Sequence, residues 1–177
     1  MLNIINDIIS ISKIESGQME SFISTTNIND LLAYHLNFFH PEAAQKGNKL
    51  TCTHWLSEQN KIIQTDSEKV YAILTNLIKN AVKFTKQGSI EFGCEQKTNF
   101  LEFFVKDTGT GISREKQEVI FERFIQGSSF LTRNYEGAGL GLSISKAYVK
   151  MLGGEIWVQS KEGVGSTFYF TIANPKE

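Results

Sequence analysis

The sequence predicts an α/β (α+β) two-layer sandwich, a mixed sheet with helices on one face, preceded by a short N-terminal helix. Three observations carry this. Segments of helical and of strand periodicity alternate along the chain, which calls for a sheet layer under a helix layer. The late strand-like runs come in pairs around short turns, which makes them antiparallel hairpins rather than parallel crossovers. And 177 residues, 41% of them apolar, are enough to bury one compact core with a small appendage.

Residues 1–20 place Met1, Ile4, Ile5, Ile8 and Ile11 on one helical face, widened by Ile9 and Ile14, with Gly17 as the stop. So short and apolar a helix is unstable alone in water and needs a partner. Either a second hairpin helix or the chain's own domain would serve. Residues 21–29 read as a short strand and a cap. Asn29 and Asp30 precede a helix carrying Leu31, Leu32, Leu36 and Phe39 and ending at Gly47. Leu50 to Leu56 and Lys61 to Gln64 alternate as strands around the turn S-E-Q-N.

Asp66 to Phe84 is the strongest helix, with Val70, Ile73, Leu74, Leu77, Ala81 and Phe84 on one core-facing arc. Residues 89–96 and 100–106 form a hairpin around Thr98-Asn99. Leu140 to Leu152 is a helix closed by Gly153-Gly154, and Glu155 to Ser160 and Ser166 to Ile172 flank K-E-G-V-G as a last strand pair.

Charge and cysteine content exclude several classes. Lys plus Arg number 18 against 19 Asp plus Glu, so no basic excess points to nucleic acid or an anionic membrane surface. Cys52 and Cys94 lie apart, without C-x-x-C spacing or a Cys/His set that would suggest zinc, and read as buried free thiols in a reducing compartment. No run approaches ~18 apolar residues and no signal peptide is visible. A soluble, cytoplasmic fragment is expected, whose parent protein is free to be membrane-anchored.

Chemistry gathers in two places. Between Asp107 and Leu142, D-T-G-T-G-I and G-A-G-L-G-L form two glycine-rich clusters that can bring backbone N–H groups close to a polyanion. Neither has dinucleotide-fold or P-loop spacing, so a phosphate site of a third architecture is indicated. On the Asp66 helix, Asn76, Asn80 and Lys83 fall within roughly 60° of each other at ~100° per residue, beside the apolar arc. Two amides and an ammonium there fit either a solvated polar edge or a Mg²⁺–phosphate site, since Mg²⁺ takes few protein ligands and fills its sphere with phosphate and water.

N-L-I-K-N-A-V-K-F-T (76–85), D-T-G-T-G-I (107–112), I-F-E-R-F-I-Q (120–126), G-A-G-L-G-L-S-I (137–144) and G-V-G-S-T-F-Y-F (163–170) follow in one order. In this the chain resembles the catalytic ATP-binding domain of sensor histidine kinases of two-component systems, in the GHKL superfamily. They match its N box, first glycine box, phenylalanine box, second glycine box and final glycine turn. I-N-D-I-I-S-I-S-K-I-E-S-G (5–17) is similar to the second helix of that family's dimerisation and phosphoacceptor hairpin. The resemblance implies a Bergerat-type fold, with residues 1–20 a hairpin remnant and 21–177 the catalytic domain.

It also implies ATP and Mg²⁺ as ligands. Asn80 would hold the metal, Asn76 would be a neighbouring polar contact and Lys83 a phosphate partner. Asp107 would accept the adenine amino group, and Gly109, Gly111 and Ile112 would close on the base. Residues 113–136 would be a lid hinged by Phe121 and Phe124, with Arg133 able to approach the γ-phosphate. Gly137, Gly139, Leu140, Gly141 and Leu142 would present helix N–H groups to the phosphates. Thr167 would touch the adenine end. Each also has a plainer role open to it: core for the two Phe, a solvated loop charge for Arg133, an ordinary strand residue for Thr167.

Hydrolysing ATPases of this superfamily resemble one another in carrying Glu where Asn76 stands. An amide has no basic lone pair and cannot activate water. Transfer of the γ-phosphoryl to a protein histidine, and from there to a response-regulator receiver domain, is therefore implied, with a homodimer as the full-length state. His35, His40 and His54 do not sit in the family's H-[ED]-x-[RK]-x-P setting, so the acceptor is expected on a helix outside this chain. Ala138 stands where the family most often has Thr. The competing expectations are a serine kinase of the same superfamily and a binding module without kinase activity.

Overall fold

The computed structural model describes residues 2–123 and 139–174. Its elements are α1 (Leu2–Glu15), β1 (Ser24–Asn27), α2 (Ile28–Gln45), β2 (Asn48–His54), β3 (Ile62–Thr65), α3 (Ser67–Phe84), β4 (Gly88–Gln96), β5 (Phe100–Asp107), α4 (Arg114–Gln117), α5 (Gly141–Met151), β6 (Ile156–Lys161) and β7 (Gly165–Ala173). Five strands form one sheet in the order β2-β4-β5-β7-β6, with β2 and β4 parallel and every other pair antiparallel. The mixed sheet expected from the sequence is present.

One face of that sheet is core. Ile90, Phe92 and Cys94 of β4, Leu101, Phe103 and Val105 of β5, and Phe168, Phe170 and Ile172 of β7 are buried at alternate positions, as the two-residue strand period requires. The Phe103 and Phe170 rings stack with centroids 4.5 Å apart. Truncating either to Ala would cost about 3–5 kcal/mol. On the helix side α3 buries Val70, Ile73, Leu74, Leu77 and Ala81 of the predicted arc, leaves its last member Phe84 half-buried, and also buries Ile78 and Val82. The wider burial follows from α2 and α5 packing against α3.

Two local expectations change. The sequence places Leu50–Leu56 and Lys61–Gln64 around one turn, but β3 pairs antiparallel with β1 in a separate two-stranded sheet while β2 joins the large one. Asn29 explains the divergence: its side-chain amide donates to the Leu56 carbonyl (2.8 Å) and its oxygen accepts the Leu56 N–H (3.0 Å), anchoring the loop on α2. With Asn29 so engaged, α2 is capped instead by Asn27, whose side chain accepts the Asn29 N–H at 3.1 Å.

α1 ends where Gly17 adopts φ 67°, a left-handed conformation that only glycine takes without strain. Its residues contact α5, and Glu15 forms an ion pair with Arg123, while Ile5, Ile8 and Ile9 stay exposed. The segment after it is fastened to the start of α3. Asp66 caps α3 by accepting the Lys69 N–H (3.1 Å) and also accepts the Phe22 N–H (2.9 Å); the Lys69 ammonium pairs with Asp66 and donates to the Glu20 carbonyl, both at 2.6 Å. Cys52 and Cys94 are free thiols that burial holds well above the usual range, Cys52 at about 12, so neither is a reactive thiolate.

Candidate functional site

Where α3 meets the two glycine-rich segments, a cavity of about 310 Å³ opens. α3 supplies Asn80, Ala81 and Phe84; Asp107 stands at the end of β5; Thr110 to Ser113 and Ile120 follow it; Leu142 comes from the first turn of α5; Ser166 and Phe168 come from β7. Its walls are mostly apolar surface, with the polar side chains of Asn80, Asp107 and Ser166 among them. That composition suits a flat aromatic body with hydrogen-bonding edges.

Asp107 is buried. Its Oδ1 accepts the Gly109 N–H at 2.8 Å. Burial pushes its carboxyl above the usual carboxylate value, and the N–H groups of Gly109 and Ser166 oppose that shift. The turn it opens is held on both sides by backbone. Thr110 N–H donates to the Phe84 carbonyl at 3.3 Å, and Gly163 N–H donates to the Thr110 carbonyl at 2.7 Å. The glycines of this turn serve that clamp. A Cβ on Gly109 would lie 2.4 Å from the Phe84 oxygen, and one on Gly111, at φ 66°, 2.1 Å from the Lys161 oxygen. Ile112 N–H donates to Ser160 Oγ at 2.8 Å, and its side chain faces the cavity.

At the start of α5 the third glycine of the second box has a similar explanation. A Cβ on Gly141 would lie 2.3 Å from Asn76 Oδ1. Asn76 in turn donates through Nδ2 to Ser145 Oγ at 3.0 Å, tying α3 to α5. Gly139 adopts φ 71°, Leu140 is buried, and Leu142 lines the cavity.

Of the three polar residues singled out on α3, Asn80 lines the cavity. Asn76 lies behind it against α5, and Lys83 places its ammonium 5.1 Å from the Phe84 ring centroid, outside the lining. Phe121 sits edge-on to Phe168 at 6.3 Å, so it braces a cavity wall while its neighbour Ile120 lines the cavity. Phe124, Arg133 and Gly137 lie outside the described residues, as does most of the expected lid.

Thr167 stands between two residues that line the cavity and is not itself among them. Asp107 pairs with Ser166 across β5 and β7, so the strand period turns Ser166 and Phe168 to the cavity and Thr167 to the other face, opposite Lys106 and Gln159. Ser166 holds the position beside Asp107, and Thr167 keeps the ordinary strand role that the sequence left open to it. Lys116 and Glu162, which also line the cavity, carried no sequence signal. Among the described residues no group of three or more His, Cys, Asp or Glu is placed to hold a metal ion. A metal here would depend on ligand oxygens plus Asn80, which fits Mg²⁺ with phosphate and water.

Residues 65–176 match the family described as histidine kinase-, DNA gyrase B-, and HSP90-like ATPase. Over 97% of its length the chain is 42% identical to the autoinducer 2 sensor kinase/phosphatase LuxQ of Vibrio vulnificus and 37% identical to the sensor histidine kinase AruS of Pseudomonas aeruginosa. It spans only 21% and 18% of those two relatives. Among solved structures, full-length ShkA in complex with AMPPNP superposes with TM-score 0.86 at 27% identity, covering 99% of this chain and 36% of that one. The nucleotide-free catalytic domain of histidine kinase ThkA gives TM-score 0.71 at 28% identity, covering 88% of this chain and 97% of that one.

Proposed function

The chain belongs to the histidine kinase-, DNA gyrase B- and HSP90-like ATPase family, and from that premise we propose that it is the ATP-binding catalytic domain of a sensor histidine kinase. The observation that carries the reading is one cavity that joins a buried Asp107 carboxylate to Asn80, one helical turn before Phe84, under apolar walls. Asp107 accepts from the 6-amino group of adenine, and Phe84, Ile112, Ile120 and Phe168 enclose the ring. Asn80 offers its amide oxygen to a Mg²⁺ that carries the phosphates. Lys83 and Arg133 remain candidates for phosphate contact, and Gly137, Gly139 and Leu140 for presenting backbone N–H groups to it.

Asn76 gives the site its direction. Its amide cannot take a proton from water, and its Nδ2 is held by Ser145. The domain therefore keeps ATP intact until a histidine side chain is presented to the γ-phosphoryl group. None of the chain's own histidines suits that role. His35 is enclosed between α2 and α3 with both ring nitrogens engaged, and His40 and His54 are exposed and outside the cavity. The acceptor is a histidine on another helix of the protein, residues 1–20 are part of the dimerisation hairpin, and 21–177 form the catalytic domain. The phosphoryl group passes on to an aspartate of a response-regulator receiver domain. No described helix is long and apolar enough to cross a membrane, and the proposed place of work is the cytoplasm.

Calorimetric titration with ATP and ADP, with and without Mg²⁺, tests the reading. Saturable binding that Mg²⁺ strengthens for ATP is expected; no binding at millimolar nucleotide would remove it.

A further inference from the structure

We propose that Ser160, which does not itself line the cavity, is a positioning residue for base selection. It holds the Ser166 hydroxyl as a hydrogen-bond acceptor, so that the cavity favours a purine presenting an amino group there over one presenting a carbonyl. The inference rests on the nucleotide reading above and deepens it.

The number of protons decides which hydroxyl donates. A serine hydroxyl has one proton and two acceptor lone pairs. Ser160 Oγ accepts the Ile112 N–H at 2.8 Å and donates to the Gly165 carbonyl at 2.9 Å, a group that can only accept. Ser166 Oγ lies 2.9 Å away as its third neighbour. With the Ser160 proton given to Gly165, that contact is made by the Ser166 proton, and Ser166 Oγ keeps only lone pairs for the cavity it lines.

Next to it Asp107, its register partner across β5 and β7, is an acceptor whenever ionised, and one of its oxygens is already taken by Gly109. Two acceptors side by side match an NH₂ group. A ring carbonyl at the same place would set lone pairs against lone pairs, and a buried polar group left unmatched is costly. The arrangement is braced from behind: Gln117 donates to the carbonyls of Ile112 (2.7 Å) and Ser160 (3.0 Å). Without the Ser160 hydroxyl, the Ser166 O–H is free to turn into the cavity and donate.

Calorimetric binding of ADP and of inosine 5′-diphosphate to the whole chain tests this. The second ligand carries oxygen in place of the amino group and a proton on the adjacent ring nitrogen. The wild-type chain is expected to prefer ADP, and Ser160→Ala to narrow the ADP-to-IDP affinity ratio by about tenfold. Ser160→Thr, which keeps the hydroxyl, restores the ratio. Ser166→Ala narrows it too, and adding Ser160→Ala to that variant changes it no further. Should Ser160→Ala not fold, Ser160→Cys carries the same comparison, because a thiol is a weak donor and acceptor. An unchanged ratio in Ser160→Ala, with both affinities reduced alike, overturns the proposal, as does further narrowing in the Ser166→Ala background. Failure of the wild-type chain to bind either diphosphate overturns the nucleotide reading itself, and this inference with it.

Discussion

The side-chain amide of Asn76 on α3 donates to the hydroxyl of Ser145 on α5 across 3.0 Å, and the bare Cα of Gly141 is seated against the oxygen of the same amide. This contact sets how closely the second glycine segment approaches α3, and with it the shape of the cavity between them.

Gly141→Ala places a methyl group 2.3 Å from Asn76 Oδ1, so α5 must move away or the amide must turn. Overpacking of this kind costs about 1–3 kcal/mol. A lower thermal midpoint and weaker nucleotide binding are expected, with part of both restored by adding Asn76→Ala. Full stability of Gly141→Ala alone would contradict the close contact.

Asp107→Asn turns part of an acceptor into a donor facing the ligand's amino group. ADP affinity should fall by a factor of ten or more, roughly the 1.5–3 kcal/mol of a charged hydrogen bond. Because burial raises the Asp107 carboxyl above its ordinary 3.8, wild-type affinity should also weaken on acidification, starting above that value. The Asn variant should lack this component. Equal pH profiles for the two proteins would remove Asp107 from the contact.

His35 makes stability depend on pH in a predictable direction. Burial lowers its pKa below the ordinary 6.5, so the unfolded chain takes up the proton first and stability is lost as pH falls below that value. Urea midpoints at about pH 7.5 and pH 5.5 should differ, and His35→Leu should reduce the difference. The same pH slope in both proteins would argue against the buried neutral imidazole.

Lys69→Met leaves Asp66 buried without its ammonium partner and removes the bond to the Glu20 carbonyl. Breaking a buried pair from one side costs about 3–5 kcal/mol. Thermal denaturation should show the loss, and proteolysis between residues 16 and 23 should quicken as the segment after α1 comes free. The double variant Asp66→Asn/Lys69→Met should be less damaged than Lys69→Met. If it is more damaged, the Asp66 carboxylate is held chiefly by the N–H groups of Phe22 and Lys69 and not by the ammonium.

Asn80→Ala removes the one amide that lines the cavity from α3. Binding of ADP without Mg²⁺ should change little, while the gain that Mg²⁺ gives to ATP binding should largely disappear. Parallel titrations with and without the metal separate the two. A preserved Mg²⁺ gain would place the metal elsewhere.

The alternation of elements, the long apolar arc of α3, the two hairpins and the order of the five motifs are legible in the sequence, because these depend on periodicity and turn chemistry within a few residues of each other. Asn80, Asp107 and the two glycine segments that meet at the cavity are legible there too. The rest depends on contacts across the fold. In G-S-T-F either hydroxyl can face the ligand, and the pairing of Asp107 with Ser166 selects Ser166 over Thr167. β3 leaves β2 for β1 because Asn29, distant in sequence, takes hold of Leu56. Gly109, Gly111 and Gly141 read as room for a ligand, yet the atoms nearest their missing Cβ groups belong to Phe84, Lys161 and Asn76. A local pattern carries its period but not its phase or its partner, and both are set by contacts between residues far apart in the chain.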